Sequence, residues 1–499
     1  MRGFFSCGLL IFTWLSVLAL GQKPRTIVTT DGELDDVDSF IRMLLYANEF
    51  QIEGLIISSS QWHYKGDGRG TKLTSEMELT KRIYGERTDL RWPGEQWIYN
   101  LLDAYGQVYP NLKKHAQGYP APDYLRSAIR IGNIDFEGEM TKNTPGSDFI
   151  KRKLLDDDLT PLYLQVWGGT NTIARALKAI EEDYKNTPQW PQVYKKVNQK
   201  TIIYAILDQD ATYRKYISKQ WPEVKIYYNS QQFWSMAYFW KRTVPEPLHP
   251  YLQGTFMGKK IINNHGPLLK MYYSYGDGNP PQGELEDIYR DPQKIKNNQW
   301  GSFQPYDFIS EGDSPAFLHL VDVGLNNLQH PEYGGWGGRL IQSTVQPHRW
   351  EDGAAAADFN PYRDSLDLAY AQIRWIPHLQ QDFAVRADWC IANYQNANHP
   401  PVVKLLHNHH LWIYPGQMLT LEGKAKDPDG DKISSRWWVY HEVGTYPHPI
   451  NLNGADQLKL NFKVPADFKH GQTIHLILEV TDEDPIPLTR YQRVILEGQ

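Results

Sequence analysis

The stretch TIVTTDGELDDVDSF, residues 26–40, decides the fold and raises the question of function. It begins with a β-branched run, TIVTT, that is typical of a buried strand, and it ends in a segment whose apolar residues have helical spacing. Five acidic residues lie within eight positions, from the end of the strand-like run into the start of the helix-like segment: Asp31, Glu33, Asp35, Asp36 and Asp38. Like charges at this density repel one another, so something in the folded protein has to offset them.

Strand-like and helix-like segments alternate from residue 26 to about residue 230. Beyond the first strand and helix, we predict strands at 52–60, 161–169, 201–207 and 224–230, and helices at 170–183 and 212–221. Such alternation predicts βαβ units and therefore an α/β fold with a mostly parallel sheet flanked by helices. Ligands of these sheets bind beyond the carboxyl ends of the strands, and the acidic stretch follows one such end.

The pattern changes along the rest of the chain. Residues 240–310 are rich in Pro, Gly, Asn and Tyr, which is typical of long loops, and helical spacing returns at 314–325 and at 366–393. The segment NANHPPVV (396–403) has the composition of a linker. Short alternating strands follow it, so we predict an α/β domain over 22–395 and a small Ig-like β-sandwich over 399–499. In the DPDGD turn, Asp427, Asp429 and Asp431 fit either a calcium site or a solvated turn.

Composition excludes one class of partner and predicts a compartment. The formal net charge of −6 gives no electrostatic case for binding nucleic acid. Residues 1–21 have a signal-peptide pattern, with a retained membrane anchor as the alternative, and no other stretch could span a bilayer. Removal of this leader leaves Cys390 alone, so an intrachain disulfide is excluded. We therefore predict a periplasmic or secreted protein without membrane contact after cleavage.

The acidic stretch has two physical interpretations. A helix N-terminus stabilises a carboxylate by about 0.3–1 kcal/mol, and Asp35 or Asp36 could cap the helix. This explains one or two acids but not four or five. A divalent cation explains more of them, and carboxylate oxygens suit Ca²⁺ or Mg²⁺. Metal or substrate binding, and capping with a solvated face, both stay open at this point.

Three stretches together resemble the nucleoside hydrolases. Asp31, Asp35 and Asp36 match the last three acids of the family signature D-x-D-P-G-x-D-D, whose first aspartate is replaced by Thr29. VWGGTNTIARAL (166–177) resembles the strand-to-helix turn of that family, and EGDSPAFLHL (311–320) resembles its late H-D-P element. The resemblance covers roughly residues 24–390. It is closest to an exported bacterial branch with an appended Ig-like domain, some members of which are described as cellulose-binding.

The resemblance implies a calcium-dependent mechanism. Asp31 would be a Ca²⁺ ligand and the general base, Asp36 a second ligand, and Asp35 would hold a sugar hydroxyl and orient water. The backbone carbonyl of Trp167 and the carboxylate of Asp313 would complete the metal shell. The implied activity is inverting hydrolysis of a glycosidic bond in a furanoside or another saccharide. Non-catalytic binding of a cellulose-like polysaccharide and ribonucleoside N-glycosidase activity are the alternatives, and an oligomer is compatible with the resemblance.

Departures from the family leave the leaving-group acid and the sugar contacts open. Gly312 stands where many relatives carry a histidine, and DQDATY stands where an N…E-F-N element is expected. Candidates for the acid are Glu33, Glu311, His63 and His265. Candidates for substrate contacts are Glu33, Trp62, His63, Asp208, Gln209, Asp210, Asn264 and His265. Trp62 could equally pack internally, His63 could be an exposed loop residue, and His265 could cap a turn. We expect Asp38 to be a surface charge that complements the helix dipole.

Overall fold

The computed structural model describes residues 23–281, 283 and 288–499. The predicted signal peptide, residues 1–21, lies outside the described residues. The strands are β1 Arg25–Thr30, β2 Gln51–Ile57, β3 Leu73–Thr74, β4 Glu86–Arg87, β5 Ile129–Ile131, β6 Leu162–Val166, β7 Thr201–Ile206, β8 Lys225–Asn229, β9 Ile341–Gln342, β10 Arg349–Glu351, β11 Asp358–Asn360, β12 Ser365–Asp367, β13 Val402–Leu405, β14 His410–Ile413, β15 Met418–Lys426, β16 Ile433–Val439, β17 Lys459–Lys463, β18 Thr473–Asp482 and β19 Thr489–Gly498.

The α-helices lie mostly between the strands of the first 400 residues. They are α1 Leu34–Leu45, α2 Glu78–Tyr84, α3 Gln96–His115, α4 Pro122–Ala128, α5 Pro145–Leu155, α6 Asn171–Tyr184, α7 Trp190–Lys200, α8 Ser218–Gln220, α9 Trp240–Thr243, α10 Gly254–Phe256, α11 Pro292–Lys296, α12 Ser314–Leu318, α13 Tyr370–Ile373 and α14 Ile376–Trp389. Within this part of the chain, no helix of the described residues is long and apolar enough to cross a bilayer.

One eight-stranded sheet organises the α/β region, in the order β5-β2-β1-β6-β7-β8-β10-β9. All neighbouring pairs are parallel except β9 with β10. Every residue of β1 is buried, as expected for a central parallel strand that is covered by helices on both faces. The prediction of an α/β fold with a mostly parallel sheet is confirmed.

Separate apolar cores cover the two faces of the sheet. On one face Val28 packs in a core with Phe40 and Leu44 of α1, and on the other Ile27 packs in a core with Leu164 and Ile173. Alternate residues of a strand point to opposite faces, so β1 contributes to both cores. This packing fixes the carboxyl end of β1 and the start of α1, where the acidic stretch lies.

The C-terminal strands form a second, all-β region. A three-stranded sheet, β13-β15-β17, and a four-stranded sheet, β14-β19-β18-β16, enclose a core that includes Leu421, Trp437 and Leu478. All pairs are antiparallel except β14 with β19. This confirms the predicted small all-β sandwich. The domain limits 22–395 and 399–499 stay predictions.

The two regions share buried contacts. Arg493 of β19 donates hydrogen bonds to the carbonyls of Leu325 and Tyr333, each at 2.8 Å. The Tyr440 hydroxyl donates to Asp358 Oδ2 at 2.6 Å. Residues with these partners are held rigidly because breaking the contact would leave buried polar groups unsatisfied.

Two local expectations were wrong. Asp38 is not a surface charge: it is fully buried, and its Oδ1 accepts the backbone N–H of Tyr273 at 2.8 Å. The partner comes from a loop far along the chain, which local spacing cannot reveal. The helix expected over 314–325 ends at Leu318, with turns after it. The helical prediction for 366–393 is confirmed, because this segment contains the two helices α13 and α14.

Candidate active site

The turn between β1 and α1 places the acidic stretch at the carboxyl edge of the sheet. Gly32 has φ +78°, and a Cβ at this position would lie 2.7 Å from Trp97 Nε1. Only glycine fits both the left-handed backbone and the close indole. The turn brings Asp31, at the end of the strand, next to Asp35 and Asp36 in the first turn of α1.

A second strand-to-helix turn, between β6 and α6, approaches Asp31 from the neighbouring strand. A Cβ on Gly168 would lie 2.9 Å from Asp31 Cβ and 3.0 Å from Asp31 Cγ. The glycine therefore lets the β6 backbone approach the carboxylate closely. The Trp167 N–H donates to the Thr29 carbonyl at 2.9 Å, which keeps this turn in register with β1.

Potential metal ligands form two adjacent groups. Asp35, Asp36 and Asp313 can each offer an oxygen, with all three atoms within 4.8 Å of one another. Asp31, Glu33 and His63 form a second group under the same distance limit. The structure thus brings Asp313, on the loop before α12, together with the acids of the first turn of α1, as the sequence predicted.

These carboxylates have few partners inside the protein. Asp36 accepts a hydrogen bond from the Thr30 hydroxyl, and Asp35 accepts one from the Ser310 hydroxyl at 3.3 Å. Asp31 Oδ2 is buried, and none of the described residues donates a hydrogen bond to it. Within the described part of the chain, no ion pair involves Asp35, Asp36 or Asp313. An unpaired buried carboxylate is costly, and this set of hard oxygen donors fits a divalent cation.

Burial and mutual repulsion shift the protonation of the cluster. Burial, followed by the charge of Asp31, raises the pKa of Asp35 to about 7 and that of Asp36 well above its usual range. Burial and then the charge of Asp35 raise the pKa of Asp313 well above its usual range. Burial also acts on Asp31, but His63 and Ser60 outweigh it and hold the pKa of Asp31 below its usual range. Burial and neighbouring carboxylates therefore dominate the pKa values of Asp35, Asp36 and Asp313, whereas Asp31 has the imidazole of His63 beside it.

Glu33 lies at the opening of the site, with its side chain 15 % exposed. Its Oε1 accepts the Tyr238 hydroxyl at 3.0 Å, and Arg91 Nη2 lies 3.9 Å from the same oxygen. Burial, followed by the charge of Asp35, raises the pKa of Glu33 to about 8. Glu33 is thus a carboxyl group beside the cluster that can reach a ligand from the solvent side.

His63 is not an exposed loop residue. It is fully buried, with Nδ1 3.5 Å from Asp31 Oδ2 and 3.8 Å from Glu33 Oε2. The imidazole thus lies between two of the predicted site carboxylates, where it can hold either of them in place.

The Trp167 carbonyl, the predicted backbone ligand, accepts a hydrogen bond from Gln209 Nε2 at 2.8 Å. A carbonyl oxygen has two lone pairs, so one remains for a cation. Asp208 and Asp210 organise backbone instead of facing a ligand. Asp208 accepts the N–H groups of Tyr213 and Arg214, and Asp210 accepts those of Asn171 and Thr212.

Four other candidates lie in structural roles. Trp62 packs edge-on against Tyr84, with ring centroids 6.4 Å apart. His265 Nε2 lies 3.0 Å from Asp388 Oδ1, and the exposed Asn264 beside it has φ +67°. Glu311 is buried and paired with Arg42, with Nε and Oε2 2.6 Å apart. These contacts make Glu311 and His265 poor candidates for the acid.

Several contacts of the site carry no sequence signal. Ser310, Arg91 and Tyr238 reach Asp35 or Glu33 from loops distant in sequence. In the sandwich, Asp427 is buried and its Oδ1 accepts three backbone N–H groups, while Asp429 and Asp431 are exposed. One oxygen of each of these three carboxylates lies within 4.8 Å of the others, a geometry that fits both a solvated turn and a cation site.

Comparison with known proteins places the chain in a family. The family model described as "Cellulose-binding Sde182, nucleoside hydrolase-like domain" matches residues 25–340, which is more than half of the chain. The chain belongs to this family. A second model, "Cellulose-binding protein Sde0182, C-terminal domain", matches residues 418–498. The predicted resemblance to the nucleoside-hydrolase-like branch with an appended C-terminal domain is confirmed. No curated protein matches the chain in sequence.

One solved structure agrees with this membership over nearly the whole chain. A nucleoside hydrolase-related hypothetical protein from Saccharophagus degradans, described as associated with carbohydrate metabolism, is 25 % identical with a TM-score of 0.69. The match covers 96 % of this chain and 100 % of that one. A plant nucleoside hydrolase is 9 % identical over 71 % of this chain and 99 % of its own, with a TM-score of 0.29.

Proposed function

We propose that the protein is a calcium-dependent hydrolase of a glycosidic bond in a saccharide. The observation that carries the proposal is a set of acids in two adjacent groups, Asp35, Asp36 and Asp313 in one and Asp31 with Glu33 and His63 in the other. Among the described residues, no ion pair involves the three acids of the first group. The family description supports a saccharide as the ligand. Enzyme activity, Ca²⁺ as the metal, and a periplasmic or secreted location all belong to this proposal.

The residues present fit a bound cation. Asp31, Asp36 and Asp313, together with the free lone pair of the Trp167 carbonyl, would hold Ca²⁺. Asp31 Oδ2 supports this assignment most directly, because no described residue donates a hydrogen bond to it and the imidazole of His63 lies 3.5 Å away. When bound, the cation would make a nearby water more acidic and would orient sugar hydroxyls.

The side chains of the protein supply the remaining chemistry. Asp31 is positioned to take the proton of the attacking water, because its Oδ2 accepts no other hydrogen bond. Asp35 would hold a ring hydroxyl and is itself oriented by Ser310. Glu33 can donate a proton to the departing oxygen from the solvent side, where Tyr238 fixes its Oε1. Attack by water would release a sugar of inverted configuration.

A second candidate function is binding of a polysaccharide without catalysis. The description of both matching families as cellulose-binding favours it. Cleavage of ribonucleosides is less well supported, because Gly312 occupies the position at which a histidine would protonate the departing base. A Cβ at position 312 would lie 2.8 Å from Asp35 Oδ2. A larger side chain would not fit there without moving Asp35.

Activity assays on defined substrates test the proposal. Cello- and xylo-oligosaccharides, aryl arabinofuranosides, inosine and uridine are incubated with the calcium-loaded protein, and released reducing sugar is measured. We expect release from a saccharide and a roughly 10²–10⁴-fold lower kcat in Asp31→Asn. Asp388→Asn is the matched control, because this partly exposed carboxylate pairs with His265 outside the cluster. Equal rates for Asp31→Asn and the wild type would contradict the catalytic assignment.

A further inference from the structure

The DPDGD turn, residues 427–431, carries a buried carboxylate oxygen without an internal partner. Asp427, directly after β15, is only 4 % exposed. Its Oδ1 accepts the backbone N–H groups of Asp429, Gly430 and Asp431 at 2.8, 3.0 and 3.1 Å. Its Oδ2 is buried, and none of the described residues donates a hydrogen bond to it. Because such an oxygen is costly to bury alone, it calls for a partner from outside the chain.

The segment before the sandwich brings a second unpartnered oxygen to this turn. Asn398 is 8 % exposed, and its Nδ2 donates to Asp482 Oδ2 and to the Ile486 carbonyl, both at 3.1 Å. Exchanging the oxygen and nitrogen of this amide would place an oxygen against two acceptors, so the position of Oδ1 is fixed. This Oδ1 is buried, and no described residue donates to it. The next residue, His399, donates its backbone N–H to Asp429 Oδ2 at 2.7 Å, so Asn398 lies beside the turn.

Two further acids, from the end of β18 and the loop after it, add negative charge at this boundary. Burial, and less strongly the charge of Asp427, raises the pKa of Asp482 to about 6. Burial also raises the pKa of Asp431, and the charges of three acids raise it further, namely Asp427, Asp484 and Asp429. The five carboxylates therefore lie close enough to repel one another.

Basic side chains offset little of this charge. His399 Nδ1 lies 3.0 Å from Asp429 Oδ1, and within the described part of the chain this is the one ion pair that involves any of the five acids. Lys426 and Lys432 flank the turn in sequence, and both are exposed. Neither lysine forms an ion pair with a described acid. A divalent cation would offset the charge and provide the partner that the two buried oxygens lack.

We propose that Ca²⁺ binds between the DPDGD turn and the segment at Asn398, with Asp427 Oδ2 and Asn398 Oδ1 as its buried ligands and Asp429 and Asp431 as its exposed ones. Carboxylate and amide oxygens are the ligands that Ca²⁺ prefers, and it accepts an irregular shell, whereas Mg²⁺ requires a nearly regular octahedron. The bound ion would tie the segment 396–403 to the sandwich. This site is separate from the acids near Asp31 and does not rest on the proposed function.

Equilibrium dialysis of the metal-stripped full chain against Ca²⁺ tests the proposal in the Asp313→Asn background, where the site near Asp31 should not bind. We expect one bound Ca²⁺ per chain, and a roughly tenfold or greater loss of affinity when Asp427→Asn or Asp431→Asn is added, because each removes a charged ligand. Asp427→Asn keeps an oxygen for the three N–H groups of the turn, and Asp431 is exposed, so neither change should prevent folding. Asp467→Asn is the matched control, because this acid of the sandwich is 57 % exposed and lies beside His448.

Thermal unfolding gives a second measurement. Calcium should raise the Tm of Asp313→Asn and leave that of the double variant Asp313→Asn/Asp427→Asn unchanged, since an ion that binds only the folded chain stabilises it. No bound calcium in Asp313→Asn, or equal affinities after Asp427→Asn and Asp467→Asn are added, would overturn the proposal. The two calcium sites can fail separately. A wild type that binds calcium only through Asp427 would contradict the site near Asp31 and leave this one standing.

Discussion

Asp31 and Asp36 belong to the same short turn, yet their environments differ sharply. Asp31 has His63 3.5 Å from its Oδ2, whereas Asp36 has the Thr30 hydroxyl and otherwise faces other carboxylates. The pKa of Asp31 is consequently lowered and that of Asp36 raised. Local chemistry, and not burial alone, therefore sets the pKa values of these two neighbouring carboxylates apart.

A substitution at Gly168 tests how closely the turn between β6 and α6 has to approach Asp31. In Gly168→Ala the new Cβ would lie 2.9 Å from Asp31 Cβ, so the carboxylate has to move. We expect a loss of calcium affinity of roughly tenfold or more, measured by calorimetry, because ligand positions have to be held closely. Gly353→Ala is the control, since its Cβ would meet nothing within 4 Å. Equal calcium affinities for Gly168→Ala and the wild type would show that this approach is unimportant.

The acids that the sequence predicted to lie together are those that belong to a local sequence pattern. Asp31, Asp35 and Asp36 could be predicted because they share one strand-to-helix turn, and Asp313 because a short motif accompanies it. Asp38 could not, since its burial depends on the backbone of Tyr273. Tyr238 and Arg91 reach Glu33 from separate loops, and no spacing in the sequence indicates that contact.

At the level of elements, strands with β-branched runs were predicted well and irregular segments poorly. Five observed strands lie within or close to the predicted ones, namely β1, β2, β6, β7 and β8. The 20-residue helix α3 was not predicted, and the strands β9 and β10, which extend the sheet, are only two and three residues long. Such short strands form because β10 pairs with the edge strand β8 and β9 pairs with β10. This pairing depends on the tertiary fold, and the local sequence does not indicate it.

The end of α12 gives a prediction about acid stability. His319, which follows this helix, is fully buried among Tyr163, Tyr204 and Tyr227, and burial lowers its pKa to about 3. As the pH falls below about 6.5, His319 becomes protonated in the unfolded chain but stays neutral in the folded chain. The contribution of His319 to the free energy of unfolding is therefore fully present above pH 6.5. It is lost as the pH falls from 6.5 toward 3, by about 1.4 kcal/mol per pH unit.

Urea unfolding at several pH values measures this contribution. We expect His319→Gln to reduce the slope of unfolding free energy against pH by about 1.4 kcal/mol per unit between roughly pH 4 and 6. His448→Gln is the control, because this histidine is 61 % exposed. Parallel curves for His319→Gln and the wild type would rule out a buried neutral imidazole.

At the scale of the whole molecule, the sandwich is bound to the α/β region through buried polar groups. Arg493 is fully buried, and burial lowers its pKa to about 10. Arg493→Met would leave the carbonyls of Leu325 and Tyr333 without donors. Each unsatisfied buried group costs about 1–3 kcal/mol, so for two carbonyls we expect the free energy of unfolding, measured with urea, to fall by roughly 2–6 kcal/mol.

Calorimetry shows whether this interface couples the two regions. We expect a single unfolding transition in the wild type and an earlier or divided one in Arg493→Met. Arg436→Met is the control, since this arginine is 63 % exposed and pairs with Glu479 within the sandwich. Two separate transitions in the wild type would mean that the regions unfold independently.

Calcium titration of the metal-stripped full chain tests most directly whether the carboxylate cluster is a cation site. We expect wild-type protein to bind one Ca²⁺ at the cluster, Asp36→Asn and Asp313→Asn to lose that binding, and Asp427→Asn, at the turn in the sandwich, to retain it. Calcium binding in Asp313→Asn that equals the wild type, or its loss in Asp427→Asn alone, would contradict the assignment.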